Sequence, residues 1–167
     1  MKVGDLEIEI HCRLGVVDRV MKDKGKWHVV SIYDPKSGRA PIDCFADNCK
    51  GILSLRFHDY DDRKMPFGYD EKIILPEEHD VRKILEWANG KTEILVHCFA
   101  GISRSSAMAY LIACTRVPAF EALVILDGKL HWPNKRIVRI GSEVLGRPEI
   151  LSEYESWQNR IQEDRFV

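Results

Sequence analysis

EILVHCFAGISRSSAMAYLI, residues 93–112, carries the strongest structural signal in this 167-residue sequence. Residues 93–97 are mostly apolar, which predicts a buried strand. A seven-residue loop, Cys98–Arg104, follows with a glycine in its middle. Two serines then come before an apolar run of small and large side chains, which predicts a helix. The stretch therefore predicts a strand, a loop and a helix in immediate succession.

The predicted loop has the properties of an anion-binding site. When a loop closes onto a helix N-terminus, successive backbone N–H groups point into one concavity, and the helix dipole adds partial positive charge there. Such a concavity suits a phosphate dianion. We therefore expect residues 98–104 to form a phosphate cradle.

Cys98 and Arg104 lie at the two ends of this loop. The positive field of a helix N-terminus favours the thiolate form of a cysteine, so Cys98 is expected to be a nucleophile at neutral pH. The planar guanidinium of Arg104 can bind two phosphate oxygens, and these bonds should strengthen as charge spreads over the oxygens in the transition state. One loop is thus predicted to hold both the nucleophile and the phosphate clamp.

The pattern His97-Cys98-x5-Arg104-Ser105 resembles the signature of the cysteine-dependent protein phosphatases. Residues 96–105, VHCFAGISRS, are especially similar to the dual-specificity branch, which has a glycine in the loop and a Gly-x-Ser-Arg-Ser ending. The resemblance covers about residues 51–146. It implies hydrolysis through a phosphocysteine intermediate, without a metal or a cofactor. It also implies that the loop binds phosphate through Phe99, Ala100, Gly101, Ile102, Ser103 and Arg104.

Two other interpretations of Cys98 stay open from the residues alone. Free cysteines are among the most buried residue types, so Cys98 can be a small core residue. A catalytically dead loop that still binds phosphate would keep much of the same pattern. The strand, histidine, glycine and serine around Cys98 favour the catalytic interpretation over both.

A general acid is predicted in the polar loop that follows the next upstream strand. Thiolate attack on a phosphomonoester expels an alkoxide or phenoxide, so a carboxylic acid must protonate it and later activate water. The strand is predicted at residues 51–57, and three candidates follow it: Asp59, Asp61 and Asp62. Asp59 resembles the placement of the acid in the dual-specificity family best. Without that resemblance, the three would be interpreted as a solvated acidic loop.

The resemblance assigns supporting roles to three further residues. His97 would order the loop through hydrogen bonds and help to keep the thiolate ionised. Ser105 would donate to the sulfur of Cys98 and ease its departure in the second step. Asn134 would cap a helix and support the loop of residues 98–104, called the signature loop below. Each also has an ordinary explanation, as a core histidine, a first-turn serine and a helix cap.

Composition places the chain among globular proteins. It is 45% hydrophobic and 31% charged, and 25 basic against 26 acidic residues give a net charge of −1. We therefore expect a single domain over residues 1–167, which the resemblance implies is a phosphatase domain, and no nucleic-acid partner. An apolar run long enough for a bilayer and a signal peptide are both missing, so a cytoplasmic protein without membrane contact is expected. Five cysteines without a secretory signal do not indicate a disulfide framework, and Cys44 and Cys49 have no partners for a metal site.

The other elements complete an α/β pattern. Strands are predicted at residues 6–12, at an edge, and at 27–33, buried on both faces. Helices are predicted at residues 16–24, 76–89, 118–130 and 149–162. Because a helix joins strand 51–57 to strand 93–97, these two strands are expected to be parallel neighbours. We predict three layers, with helices on both faces of a mostly parallel sheet of four or five strands and the site at the carboxyl end of strand 93–97.

The predicted function is removal of phosphate from phosphotyrosine in proteins, with phosphoserine and phosphothreonine also accepted. The chain lacks the Trp-Pro-Asp acid loop and the tyrosine-bearing loop of the large tyrosine-specific members, which favours a shallower site. The side chains of Phe99, Ala100, Ile102 and Ser103 carry no charge, which disfavours phosphoinositides and RNA 5′ ends without removing them as alternatives. A phosphoprotein-binding module without turnover is the rival from another class. The Gly-x-Ser-Arg-Ser ending argues against a sulfurtransferase.

Overall fold

One sheet runs through the centre of the fold. The computed structural model describes residues 1–38, 40–60 and 73–165. The strands of these ranges are β1 (Lys2–Val3), β2 (Leu6–His11), β3 (His28–Tyr33), β4 (Gly51–Arg56) and β5 (Glu93–His97). Their order in the sheet is β1-β2-β5-β3-β4. The last four are parallel to one another and β1 is antiparallel to β2, which confirms the predicted, mostly parallel sheet.

Helices cover both faces of this sheet. They are α1 (Gly15–Lys22), α2 (Glu78–Ala88), α3 (Arg104–Cys114), α4 (Ala119–Ala122), α5 (Lys135–Leu145) and α6 (Glu149–Arg165), with 3₁₀ helices at Pro41–Asn48 and Leu123–Ile125. On β5, Leu95 belongs to the core formed with α1, whereas Ile94 and Val96 belong to the core formed with α2, α3, α5 and α6. This alternation gives the three predicted layers.

The helix after the signature loop lies at the centre of the larger core. Every residue of α3 is buried. Gly141 lets α5 approach α3, because a Cβ atom at this position would lie 2.2 Å from Leu111 Cδ1. The start of α3 is therefore held by packing along the whole helix.

Two expectations about the sheet were wrong. β4 and β5 are parallel but not neighbours, because β3 lies between them and pairs with both. The strand predicted at residues 6–12 is not an edge, because β1 pairs with its outer side. Hydrophobic patterns record which faces of a strand are buried but not which strands lie beside it.

A single helix over residues 118–130 was also a wrong prediction. The segment forms α4 and a short 3₁₀ helix and then turns at Asp127, whose side chain accepts a hydrogen bond from the amide of Lys129 at 2.8 Å. Gly128 lies against α6, since a Cβ atom there would lie 2.2 Å from Ile161 Cδ1. Phe120 and Leu130, which would lie on the apolar face of a continuous helix, are 60% and 64% exposed.

The other predicted helices are present, with ends that differ by a few residues. The structure adds a regular end to α5, where Gly146 adopts a left-handed conformation with φ of 63°. None of the helices in the described ranges has the length and apolar composition that a membrane span requires.

Candidate active site

Four parallel strands bring functional side chains to the carboxyl end of the sheet. Cys98 follows β5, Asp34 follows β3, Asp59 lies three residues after β4, and Arg13 lies two residues after β2. In the sheet register, His97 at the end of β5 pairs with both neighbouring strands. The candidate site therefore lies at the carboxyl end of β5, where open α/β sheets bind ligands.

A recess of about 380 Å³ opens at this end of the sheet. Its walls are formed by the signature loop together with two carboxylates, Asp34 and Asp59. The structure thus brings the predicted nucleophile Cys98, the predicted clamp Arg104 and the predicted acid Asp59 to one recess. The predicted phosphate loop residues Phe99, Ala100, Ile102 and Ser103 line it with them.

The signature loop offers amides rather than carbonyls to a ligand. Three of its carbonyls accept hydrogen bonds from amides outside it. The pairs are Phe99 O with Arg13 N at 3.1 Å, Ile102 O with Trp132 N at 3.0 Å and Ser103 O with Asn134 N at 3.2 Å. The amides of Phe99, Ala100, Ile102 and Ser103 donate to no atom of the described residues. A run of free N–H groups before a helix N-terminus is a general anion-binding arrangement.

Gly101 allows the loop to approach the end of β2. Its φ of 78° lies in the left-handed region that favours glycine. A Cβ atom here would lie 2.8 Å from Cys12 N and 2.8 Å from His11 C, which is too close for any side chain. The glycine is thus required both by its conformation and by this backbone contact.

The sulfur of Cys98 lies at the base of the recess. The residue is 2% exposed, and its Sγ accepts a hydrogen bond from the amide of Gly101 at 3.3 Å. Ser105 Oγ lies 3.1 Å from the same sulfur and is fully buried. The structure therefore brings Ser105 to Cys98, as the resemblance implies.

Both terminal nitrogens of the Arg104 guanidinium are bonded to the protein, whereas Nε is not. Nη1 donates to Asp34 Oδ1 at 3.0 Å and to Phe57 O at 2.8 Å, and Nη2 donates to Asp34 Oδ2 at 3.4 Å. Nε is buried and has no hydrogen-bond partner in the described part of the chain. The Nε and Nη2 edge is the geometry that binds two oxygens of a phosphate.

Sequence reasoning missed Asp34. This residue pairs with Arg104 and lines the recess, although a carboxylate beside a phosphate site is unfavourable unless a cation offsets its charge. A usable signal was present, since Asp34 directly follows a strand that the sequence predicts to be buried on both faces. Polar residues at the carboxyl end of such central strands are candidates for a site.

Asp59 is held beside Arg104 by two side chains. Its Oδ1 accepts hydrogen bonds from Ser103 Oγ at 2.7 Å and from Asn134 Nδ2 at 2.9 Å. Its Oδ2 lies 3.8 Å from Arg104 Nε, the guanidinium nitrogen without a hydrogen bond among the described residues. A carboxyl group in this position can reach the leaving oxygen of a phosphate bound to Arg104. The other candidates, Asp61 and Asp62, lie outside the described residues.

Asn134 connects three parts of the site. Its Oδ1 accepts a hydrogen bond from Ile137 N at 3.2 Å and so caps α5. Its Nδ2 donates to Asp59, and its own backbone amide donates to the signature loop. The side chain thus fixes the acid loop, a contact that the sequence did not predict.

His97 is buried next to the nucleophile. It is 1% exposed, and its Nδ1 lies 3.4 Å from Cys98 O. Burial lowers the pKa of His97 to about 4. The contact with Cys98 O raises this pKa, whereas the charges of His11 and Arg13 lower it further. The imidazole is therefore neutral at pH 7 and supplies no positive charge to the thiolate.

The buried imidazole should make folding stability depend on pH. In the unfolded chain a histidine pKa is near 6.5, so between about pH 6.5 and pH 4 the unfolded state binds a proton that folded His97 does not. The stability that neutral His97 contributes is therefore fully present above the unfolded-state pKa and is lost as the pH falls toward the folded-state pKa. Wild type should lose roughly 2 kcal/mol more unfolding free energy between pH 7 and pH 5 than His97→Asn.

Urea unfolding at both pH values measures this difference. His79→Asn makes the same substitution at an exposed histidine and is the matched control. An equal loss in wild type and His97→Asn would contradict the neutral, buried state of this imidazole.

Comparison with solved structures identifies the fold. DUSP15 has a TM-score of 0.56 with 17% identity, covering 98% of this chain and 94% of its own. Tk-PTP in its active form has a TM-score of 0.51 with 17% identity, covering 89% and 92%. PTPMT1 in complex with PI(5)P has a TM-score of 0.51 with 10% identity, covering 87% and 96%. The chain therefore has the fold of the dual-specificity and tyrosine phosphatases, which confirms the fold that the resemblance implied.

Sequence comparisons add nothing to this likeness. No family model matches the chain, and no curated protein is similar to it in sequence. At these identities the solved structures establish the fold alone, and a fold by itself does not determine function.

Proposed function

We propose that this protein is a phosphatase that hydrolyses phosphomonoesters through a phosphocysteine intermediate, with residues 1–167 as one catalytic domain. The observation that carries the proposal is the convergence of Cys98, Arg104 and the Asp59 carboxyl group on one recess, beside four loop amides without a partner among the described residues. These are a nucleophile, an anion clamp and an acid, the three groups that the reaction requires.

The reaction proceeds in two steps. The Cys98 thiolate attacks phosphorus, and the S–P bond forms as the P–O bond to the leaving group breaks. Asp59 gives its proton to the leaving oxygen. Water then attacks phosphorus and gives a proton to Asp59 as the S–P bond breaks, which releases inorganic phosphate and restores the thiolate. The free amides and Arg104 stabilise the charge on the phosphoryl oxygens in both steps.

Ser105 has a proposed role in the second step. A hydroxyl 3.1 Å from Sγ can donate to the departing sulfur and lower the energy of the leaving thiolate. Its burial excludes competing water from this contact.

We assign phosphotyrosine in proteins as the main substrate, with phosphoserine and phosphothreonine also accepted. The wall of the recess exposes two large apolar side chains, since Phe99 is 64% and Ile102 is 43% exposed. Such a wall favours contact with an aromatic ring next to the phosphate. A phosphoinositide is the second candidate, because PTPMT1 has this fold and was crystallised with PI(5)P.

Hydrolysis of p-nitrophenyl phosphate in EDTA, with and without orthovanadate, tests the activity. We expect metal-independent turnover that vanadate blocks, and faster turnover of a phosphotyrosine peptide than of matched phosphoserine and phosphothreonine peptides or of PI(5)P. Phosphopeptide binding without turnover would replace the proposal with the binding-module function. Turnover that requires a metal would overturn the thiolate mechanism.

Asp59→Asn should lower kcat by about 10²-fold, since a positioned general acid contributes roughly 10²- to 10⁴-fold. The asparagine still accepts from Ser103 and Asn134 but cannot protonate the leaving group. The pH profile of kcat should lose its basic limb, because that limb reports the protonated acid. Asp43→Asn, in the 3₁₀ helix Pro41–Asn48, is the control for an equal charge change. A normal pH profile in Asp59→Asn would assign the acid to another residue.

A further inference from the structure

The connection between β2 and α1 lies directly against the signature loop. Arg13 N donates to Phe99 O at 3.1 Å, and Gly101 has no space for a Cβ atom beside Cys12. These contacts fix the backbone of Arg13 relative to the phosphate recess. Arg13 also lines a narrow crevice together with Cys98.

The side chain of Arg13 has no anionic partner among the described residues. Its Nε is buried without a hydrogen bond, and the guanidinium forms no ion pair with any described carboxylate. Nearby arginines differ, since Arg19 is paired with Glu9 and Arg104 with Asp34. A buried N–H without a partner costs roughly 1–3 kcal/mol, so an unpaired guanidinium here is a strong binding group for an anion.

A second recess, of about 410 Å³, begins at this arginine. The described residues in its walls are Cys12, Arg13, Leu14, Pro41 and Phe99, and among these Arg13 alone is charged. Leu14 is 69% exposed and belongs to the same apolar wall. Phe99 lines both this recess and the phosphate recess, so one ligand can extend over Phe99 from one recess into the other.

We propose that Arg13 binds a second negative group of the substrate, namely an acidic side chain that flanks the phosphorylated residue of a peptide. Among the described residues, the second recess offers one cation on an otherwise apolar surface, which suits one carboxylate among peptide side chains. An inositol ligand with several phosphates would need several cations. This inference rests on the proposed function and adds a sequence preference to it.

Fluorescence anisotropy with phosphotyrosine peptides tests the preference without requiring turnover. Cys98→Ser serves as the binding protein, and an Asp is compared with an Asn at each position that flanks the phosphotyrosine. At one position, Asp should strengthen binding by about tenfold, which corresponds to one charge-assisted hydrogen bond. In Cys98→Ser with Arg13→Gln, the ratio of the two dissociation constants should fall to near one.

Arg56→Gln in the same background is the matched control. Arg56 is the last residue of β4, at the same end of the sheet, and stacks on Tyr33 at 4.8 Å, but it lines neither recess. The Arg56→Gln substitution removes the same charge and should leave the Asp preference intact. An Asp preference that survives Arg13→Gln, or that disappears equally in Arg56→Gln, would overturn the assignment.

Two further outcomes separate this inference from the proposed function. If a soluble inositol bisphosphate shows the Arg13 dependence and no peptide does, the peptide assignment is overturned in favour of a small phosphorylated ligand. If p-nitrophenyl phosphate is not hydrolysed by the wild type, the proposed function fails, while the Asp preference in binding still decides the role of Arg13.

Discussion

Cys98→Ser should abolish hydrolysis of p-nitrophenyl phosphate, with a loss on the order of 10⁴-fold or more. The substitution keeps the size of the side chain and its contacts with Gly101 and Ser105. A serine hydroxyl is not ionised at neutral pH, so the attacking anion is lost. Because the free amides and Arg104 remain, the variant should still bind phosphotyrosine peptides.

Steady-state kinetics and peptide binding together measure this result. Cys44→Ser is the control, because it makes the same substitution at an exposed cysteine outside the signature loop. It should retain wild-type kinetics. Turnover that survives Cys98→Ser would show that another group attacks phosphorus, whereas loss of both turnover and the thermal unfolding transition would show only misfolding.

Arg104→Lys should lower kcat/KM by about 10³-fold, mostly through kcat. A lysine keeps the charge but not the planar edge of Nε and Nη2, and donors of this kind act mainly on the charge that develops in the transition state. The substitution also removes the bidentate contact with Asp34. Steady-state kinetics with unchanged circular dichroism would establish the effect.

Asp34→Asn tests how Arg104 is positioned. The amide oxygen still accepts from Nη1, but the ion pair is lost, so we expect a smaller decrease than in Arg104→Lys and a larger change in kcat than in KM. A merely structural Asp34 would instead lower the unfolding temperature and leave the kinetics of the folded enzyme unchanged. Arg104→Lys within tenfold of wild type would contradict the clamp role of Arg104.

The strand, loop and helix at residues 93–112 could be predicted because all of their determinants are local. The apolar run, the glycine and the serines each act within a few residues. The sheet order could not be predicted in the same way, since the position of β3 between β5 and β4 depends on packing between distant segments. The local patterns predict Cys98 and Arg104 as site residues and the family resemblance adds Asp59, whereas Asp34 was not predicted.

Arg13 and the turn at Asp127 show two further limits of sequence patterns. Arg13 follows a strand that the sequence marks only as amphipathic, and nothing local indicates that β2 lies next to β5. The turn has a local signal, because Asp-Gly is a common turn pair, whereas the spacing of apolar residues favours a continuous helix. Local turn chemistry overrode that spacing in the folded protein.

The sheet order also determines how a growing chain reaches its final shape. The central strand β5 is made after the strands on both of its sides, so until it arrives β2 and β3 each have an unpaired edge. Unpaired edges of this kind favour association with other chains. Insertion of β5 closes that gap and delivers the signature loop in the same event. A chain that ends before β5 therefore has unpaired strand edges that favour aggregation but lacks the signature loop.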